Sequence, residues 1–393
     1  MQQQNQRQFV LLAYGFRPFF LAAGLWSLGV MTVWLLLLEG HWQPTLYVNP
    51  AVWHAHEMLY GFVAASAAGF LLTASPNWSR KPALKGTPLL LLLLCWLAGR
   101  LALSTAPWLS PWIVALLDML FPVALVIATG PTLWFTGNPV HRIFPLLLGL
   151  MAIGNGLVHA EAVGLTVDTA RRGLYLGVDT IVFFLVMVGG HIMPMFTRNV
   201  LQQSENLPPF KVVPALEIAG AVTMVGVILG DLFNLGEATA APFLVAAALV
   251  QGIRLSQWHG LKTLQVPLLW VLHLGYAWLV LGLFIRGLAQ LTGFITPSAA
   301  LHALTVGAMG LFTLGIMSRV SLAHTGRPLV AQRALTAAYL LVAAAAIVRV
   351  FGTGFWPIGS LLLSGLLWIS AFFLFLSLFL PVLMRKRPDG MPG

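Results

Sequence analysis

Charge is what this chain has least of. Of 393 residues only 8% are Asp, Glu, Lys or Arg, while 59% are hydrophobic; soluble domains carry about 25% charged residues. That scarcity excludes a soluble domain with a single anchor and leaves a polytopic membrane protein. Cysteine is nearly absent. Cys95 stands alone, inside an apolar run, so no intrachain disulfide forms and a Cys-rich iron–sulfur cluster or structural zinc site is excluded. There is no Walker loop, no dinucleotide fingerprint after a strand, no His-Glu-x-x-His pair and no Gly-x-Ser-x-Gly elbow. The polar stretch Met1 to Gln8 leads to no A-x-A-type cleavage site after a short apolar core, so the first apolar run reads as a retained helix.

What is present is length and apolarity. A helix needs about 20 apolar residues to cross a bilayer. Runs of that kind fall near 16–38, 52–74, 87–105, 110–134, 142–163 and 173–195, then near 213–235, 238–258, 267–291, 297–318, 334–351 and 357–383. The expected fold is therefore all-α, a bundle of about twelve transmembrane helices in a single transmembrane domain, 1–393. Pro76, Pro88, Pro111, Pro139, Pro267, Pro297 and Pro357 punctuate the junctions, as helix breakers do. The net charge of +10 is scattered through short loops, with no stripe that would read nucleic acid. With both termini cytoplasmic, only Arg100, Arg171, Arg172, Arg286 and Arg349 of the 21 basic residues fall at outer helix ends. That bias places tails 1–15 and 384–393 in the cytoplasm, beside anionic lipid.

Orientation sorts the ten histidines. His54, His56, His159 and His302 lie at the outer ends of helices two, five and ten, within about 10 Å of that interface at 1.5 Å per residue. Ionisable groups at membrane depth are costly, so four at one level on three helices point to haem or metal ligation, with hydrogen-bonded core histidines as the alternative. His54 and His56 are two residues apart, hence about 200° apart around a helix, and point to opposite flanks. They are expected to serve different centres, one of them joining His302 on a haem iron and the other binding a second metal for which His159 is a further candidate ligand. Glu57, three residues after His54, is placed to orient that imidazole. Arg100, Arg286 and Arg349 stand at the same level as partners for haem propionates, or as snorkelling residues. Gly61, Gly69, Gly307 and Gly310 leave flat surface for a porphyrin or for close helix packing.

A looser inner group contains His191, His259, His273 and His324. His191-x-Met193-x-Met195 carries soft copper-type ligands, while His41 and His141 read as solvated loop residues. Asp118, Asp179 and Asn155 are further polar residues within spans, fit for a proton path or for interhelical hydrogen bonds. Gly69 to Arg80, Gly190 to Arg198 and Gly315 to Arg319 each run from Gly through apolar residues to a closing Arg, on every fourth helix. That pattern fits three four-helix repeats.

Five segments together resemble the NnrS family: Gly15-Phe-Arg-Pro-Phe-Phe20, Trp53-His-Ala-His-Glu-Met58, His273-Leu-Gly-Tyr-Ala-Trp278, His302-Ala-Leu-Thr-Val-Gly-Ala308, and the stretch from Met317 to Arg327. The resemblance implies a bacterial inner-membrane protein with haem, expected as haem b, and copper, engaged in the response to nitric oxide. Its ligand candidates, carried over by position, are His54, His56, His273, His302 and His324. His191 stands where the family is expected to have Arg. In outline the chain is also distantly reminiscent of the catalytic subunit of haem–copper oxidases and nitric oxide reductases. There, however, the His-x-His pair is on helix ten and a His-His pair on helix seven helps bind copper. Here the pair is on helix two and helix seven has no His, so that copper site does not transfer. Two readings stay open. One is a haem protein, with or without copper, that binds or turns over nitric oxide (or senses it without catalysis), with a quinol or another electron donor as partner. The other is a metal-free transporter or channel with a path lined by His and Asp.

Overall fold

The computed structural model describes residues 10–201 and 213–391, and among these twelve helices are long and apolar enough to cross a membrane. They are α1 (Phe16–Leu38), α2 (Pro50–Ser79), α3 (Thr87–Ser104), α4 (Pro111–Trp134), α5 (Pro139–Ala162) and α6 (Thr169–Leu201), followed by α7 (Pro214–Leu232), α8 (Ala238–Ser256), α9 (Pro267–Thr292), α10 (Pro297–His324), α11 (Arg333–Gly354) and α12 (Pro357–Met384). No strand occurs among the described residues. Arg7, Lys211 and most of the tail 1–15 lie outside them.

Most boundaries agree with the apolar runs, but three central helices are longer. α2 extends to Ser79, α6 runs through Pro194 to Leu201, and α10 continues to His324. The reason lies in position. These three are buried over 89%, 83% and 83% of their most apolar stretch, against 28% for α4 and α7. A helix wrapped by other helices can continue past the apolar slab, because protein supplies the partners its polar groups need. α2, α6 and α10 touch one another at the centre. Three arcs surround them: α3–α5 between α2 and α6, α7–α9 between α6 and α10, and α11, α12 and α1 between α10 and α2. The four-helix repeat is thus a threefold arrangement of arcs, each setting a cluster of polar side chains, called here a pocket, against the central trio.

Local chemistry fixes where the central helices begin. Asn49 caps α2 by accepting from the Val52 N–H at 3.0 Å, and Thr296 caps α10 by accepting from the Ala299 N–H at 3.2 Å. Each cap is followed by Pro at the first helical position, where a missing N–H is harmless. Past the first turns, both helices widen into π-helix, Glu57–Val63 in α2 and Ala303–Gly310 in α10. π-Turns are rare and concentrate at functional sites. Both begin one residue after a histidine, His56 and His302.

At the other end, the Gly15-Phe-Arg-Pro-Phe-Phe20 segment closes the ring. Arg17 is fully buried, and its Nη1 donates to the carbonyls of Leu383 (2.7 Å) and Arg385 (3.0 Å). It satisfies carbonyls that the end of α12 leaves without helical partners. Phe16, Phe19 and Phe20, all at 0% exposure, pack beneath it.

Candidate functional site

His56, Asp179 and His302 recur at an interval of 123 residues, one on each central helix. Each lies near the same end of the bundle, called here the histidine end, and each faces a different pocket.

The first pocket lies between α2 and the α3–α5 arc. His56 Nδ1 is 2.9 Å from Glu57 Oε1, and His56 Nε2 is 2.7 Å from Asn155 Oδ1 and 3.3 Å from Asp118 Oδ2. Both ring nitrogens face acceptors, which suits a doubly protonated ring. His159 Nε2 is 2.8 Å from Asp118 Oδ2, and Asn155 Nδ2 donates to the same oxygen at 2.7 Å. Arg100 bridges the acids, donating to Glu57 Oε1 at 2.7 Å and to Asp118 Oδ1. From α1, the Trp26 indole donates to Glu57 Oε2 at 2.9 Å. Tyr47, in the loop before α2, closes the pocket with its hydroxyl 3.1 Å from His159 Nδ1. Burial and the Asp118 charge hold the Tyr47 phenol well above its ordinary pKa, so it remains a donor. Every charged group here is buried and partnered, as charges at membrane depth must be.

Glu57 therefore orients His56, correcting the expectation that it serves His54. Arg100 and Trp26 draw its carboxylate toward the first pocket, and His54 projects the other way. Below the network, a cavity of about 20 Å³ touches Tyr60, Ala67, Arg100, Asp118, Leu125 and Asn155. That is room for about one water, far too little for a macrocycle.

The second pocket, between α6 and α10, holds Arg286 between two acids. Arg286 Nη1 donates to Asp179 Oδ1 at 2.5 Å and Nη2 donates to Asp231 Oδ2, while Tyr175 lies under the guanidinium with its ring centre at 4.8 Å.

The third pocket, between α10 and α2, is built differently. His54 stacks on Trp34 of α1, ring centres 4.5 Å apart and 18° from parallel, and its buried Nδ1 has no partner among the described residues. His302 Nδ1 donates to the Ser298 carbonyl at 2.6 Å, which leaves Nε2 as the atom with a free lone pair. Arg349 reaches Ser298 Oγ at 2.8 Å and Thr353 Oγ1 at 3.2 Å. His302 interacts electrostatically with both His54 and Arg349. Arg349 is only 8% exposed, yet among the described residues no carboxylate pairs with it.

The structure thus brings His56 and His159 together with Asp118, and sets His54 with His302. The helix rotation read from the sequence is what parts His54 from His56: α2 is helical through both. His273 and His324 lie at the opposite, basic end, where His273 Nε2 meets Thr197 Oγ1 at 2.9 Å and the His324 ring lies 5.8 Å from Phe16. About 33 Å of helix separates His324 from His302, so one group cannot join them. The four glycines are not open platforms. A Cβ at Gly61, Gly69, Gly307 or Gly310 would lie 2.6 to 2.7 Å from Trp26, Phe20, Trp278 or Trp368, so these positions serve packing. His41 is exposed beside Glu39, but His141 is buried, not solvated. Asp231, Tyr47, Trp26 and Trp34 carry no signal in the sequence, because only the packing of distant helices brings them to these pockets.

Residues 10–387 match the model of a protein family described as NnrS protein. The chain belongs to the NnrS family. Membership makes it a nitric-oxide-related membrane protein, and the buried His56, Asp118 and His159, with ligand atoms within 4.8 Å of one another, form a group able to hold a metal ion. No curated protein matches the chain. In this NnrS-family protein the resemblance covers all three pockets, which lie between residues 26 and 353.

Proposed function

We propose that this is a haem protein of the bacterial inner membrane, with both termini cytoplasmic, that binds or turns over nitric oxide. The haem, of type b, lies in the third pocket. The observation that carries this reading is the buried, acid-free Arg349. At the same depth Arg100 and Arg286 each hold two carboxylates, and an uncompensated buried cation costs several kcal/mol, of order 3–5. Haem propionates are anions of the right kind, and Arg binds carboxylate with two parallel hydrogen bonds. The donor set fits as well. His302 is anchored through Nδ1 and keeps Nε2 for iron, and the unpartnered Nδ1 of His54 marks it as the second ligand candidate.

When bound, the haem supplies an iron that takes small diatomic ligands and exchanges single electrons, with a quinol or another donor as their source. The chain's own residues do the rest. Trp34 holds the His54 ring in place. In the first pocket, Glu57 and Asp118 outnumber Arg100 by one charge, so the network takes one positive charge: a proton on His56 or a monovalent ion such as copper among His56, His159 and Asp118. With the proton, Asp118 and His159 form a relay from His56 to Tyr47 at the pocket's mouth.

The visible spectrum of the purified protein tests the proposal. A Soret band that His302→Ala abolishes is the expected result. Its absence from freshly isolated wild-type protein favours the metal-free transporter, and full haem in both His54→Ala and His302→Ala removes the third pocket as its site. A reporter fused after Gly393 that is active only in the cytoplasm is expected for the topology.

A further inference from the structure

We propose that the basic end carries a binding site for a monovalent oxyanion, formed by the guanidinium of Arg319 on α10 and the phenol of Tyr339 on α11. The proposal does not depend on the haem reading.

It starts from a comparison of the buried arginines, which are Arg17, Arg100, Arg254, Arg286, Arg319 and Arg349. All but one spend their donors. Arg17 bonds carbonyls at the end of α12, and Arg100 and Arg286 hold two carboxylates each. Arg254 donates to Glu217, Gln251 and Tyr276, and Arg349 to two hydroxyls. Arg319 donates no hydrogen bond to any described residue and pairs with no carboxylate among them. What holds it is Phe196 of α6, whose ring centre lies 4.0 Å from the guanidinium carbon. A ring in that position takes one face of the cation. The N–H donors lie in the guanidinium plane, so its edge stays free.

A second donor stands beside it. Tyr339 is fully buried, and its hydroxyl has no hydrogen-bond partner among the described residues. Tyr339 is also the titratable group that interacts electrostatically with Arg319. Trp270 of α9 fixes the Tyr339 ring edge-on, with centres 5.9 Å apart and planes at 85°. Ser318, next to Arg319, donates to the Leu314 carbonyl at 2.6 Å and so keeps its proton on its own helix. A buried donor without an acceptor is costly, and here a cation and a phenol both lack one. An anion satisfies the two together.

The donor set selects the ligand. The segments that meet here, 193–201, 267–278, 315–327 and 333–342, contain no acidic residue, so the chain itself offers no counter-charge. One guanidinium balances one negative charge, and a dianion such as sulfate would leave a second one uncompensated. The two parallel N–H groups of a guanidinium edge match a pair of oxygens, as in nitrate, nitrite or a carboxylate, and chloride has no such pair. The phosphodiester of a phospholipid presents the same charge and the same oxygen pair. Arg319 precedes His324, the last residue of α10, by five residues, about 8 Å of helix. That depth lets an oxyanion arrive from the aqueous side or from the headgroup layer.

The test is nitrate titration of the full-length protein as isolated in detergent, followed by calorimetry and thermal unfolding, with mass spectrometry of co-purified phospholipid as a second arm. Wild-type protein should bind nitrate and unfold at a higher temperature in its presence, and chloride at the same ionic strength should do neither. The visible spectrum should not change during the titration, which separates the site from a haem iron. Arg319→Gln should lose the binding and the thermal shift, yet unfold no earlier than wild type without nitrate, because it removes an uncompensated cation. Tyr339→Phe should weaken binding about tenfold, the loss of one charge-assisted hydrogen bond. Nitrate binding that only Arg319→Gln abolishes assigns the site to a free oxyanion. A phospholipid that accompanies wild type, excludes nitrate and is absent from Arg319→Gln assigns it to a headgroup phosphate. Wild type and Arg319→Gln that agree in both nitrate binding and phospholipid content overturn the proposal. So does loss of haem from Arg319→Gln, which would give the guanidinium to a propionate.

Discussion

The first and third pockets share α2, depth and a buried arginine, yet differ in charge. In the first, Arg100 sits between Glu57 and Asp118, every imidazole nitrogen has a partner, and the network is complete with one proton. In the third, among the described residues, Arg349 donates only to hydroxyls and His54 Nδ1 has no partner. On the reading proposed above, the finished network holds and moves protons and the unfinished one awaits an anion. On that reading histidine count does not mark the cofactor pocket, and the missing counter-charge does.

The largest expected effect breaks the comparison outright. His302→Ala should abolish bound haem, while His56→Gln should retain the Soret band, since His56 has both nitrogens engaged in the other pocket. Loss of haem from His56→Gln with retention in His302→Ala would exchange the roles of the two pockets.

A second effect compares the arginines in haem-free protein. Arg100→Gln should lower stability by about 3–5 kcal/mol, because two buried carboxylates lose their partner. Arg349→Gln should leave haem-free protein as stable as wild type or more so, and should weaken haem retention instead. Thermal unfolding of both variants, with and without haem, measures this. Equal destabilisation of the two haem-free proteins would mean that Arg349 is already compensated. Smaller again is Gly61→Ala. The new methyl would meet the Trp26 indole nitrogen at 2.6 Å and Arg100 Nη1 at 2.9 Å, and overpacking of this kind costs about 1–3 kcal/mol. Its effect should be confined to the first pocket and leave the Soret band unchanged.

How much of this was legible follows from the physics of each feature. The twelve spans depend on run length alone and agree with the structure to a few residues, except that α2, α6 and α10 run on to Ser79, Leu201 and His324. That His54 and His56 look in opposite directions follows from 100° per residue and needs no neighbours. Which partners they meet does not follow. Asp118 and Asn155 stand out as polar residues in apolar runs, but their convergence on His56 depends on how α4 and α5 pack against α2. The two π-helical segments shift a hydrogen-bond ladder and have no sequence signature. His141 reads as a loop residue because it sits between Pro139 and Arg142, and its burial against the ring of Trp78 depends on how α5 packs on α2.

The finest distinction concerns Tyr47, the residue that closes the first pocket and has no counterpart among the groups described in the third. Its hydroxyl meets His159 Nδ1 at 3.1 Å and the Pro111 carbonyl at 3.3 Å. A hydrogen bond of this kind contributes about 1 kcal/mol, so Tyr47→Phe should cost that much at neutral pH. The variant should also change the alkaline limb of stability. Burial, and then the Asp118 charge, raise the folded-state pKa of the phenol above its ordinary value of 10.0. The unfolded chain then ionises first, so stability contributed by this group is complete below about pH 10 and falls as pH rises through and beyond it. Phe cannot ionise. The stability difference between wild type and Tyr47→Phe, measured by urea unfolding between pH 7 and 11, should therefore shrink at the alkaline end. A difference that stays constant with pH would show that Tyr47 reaches solvent freely and does not seal the relay.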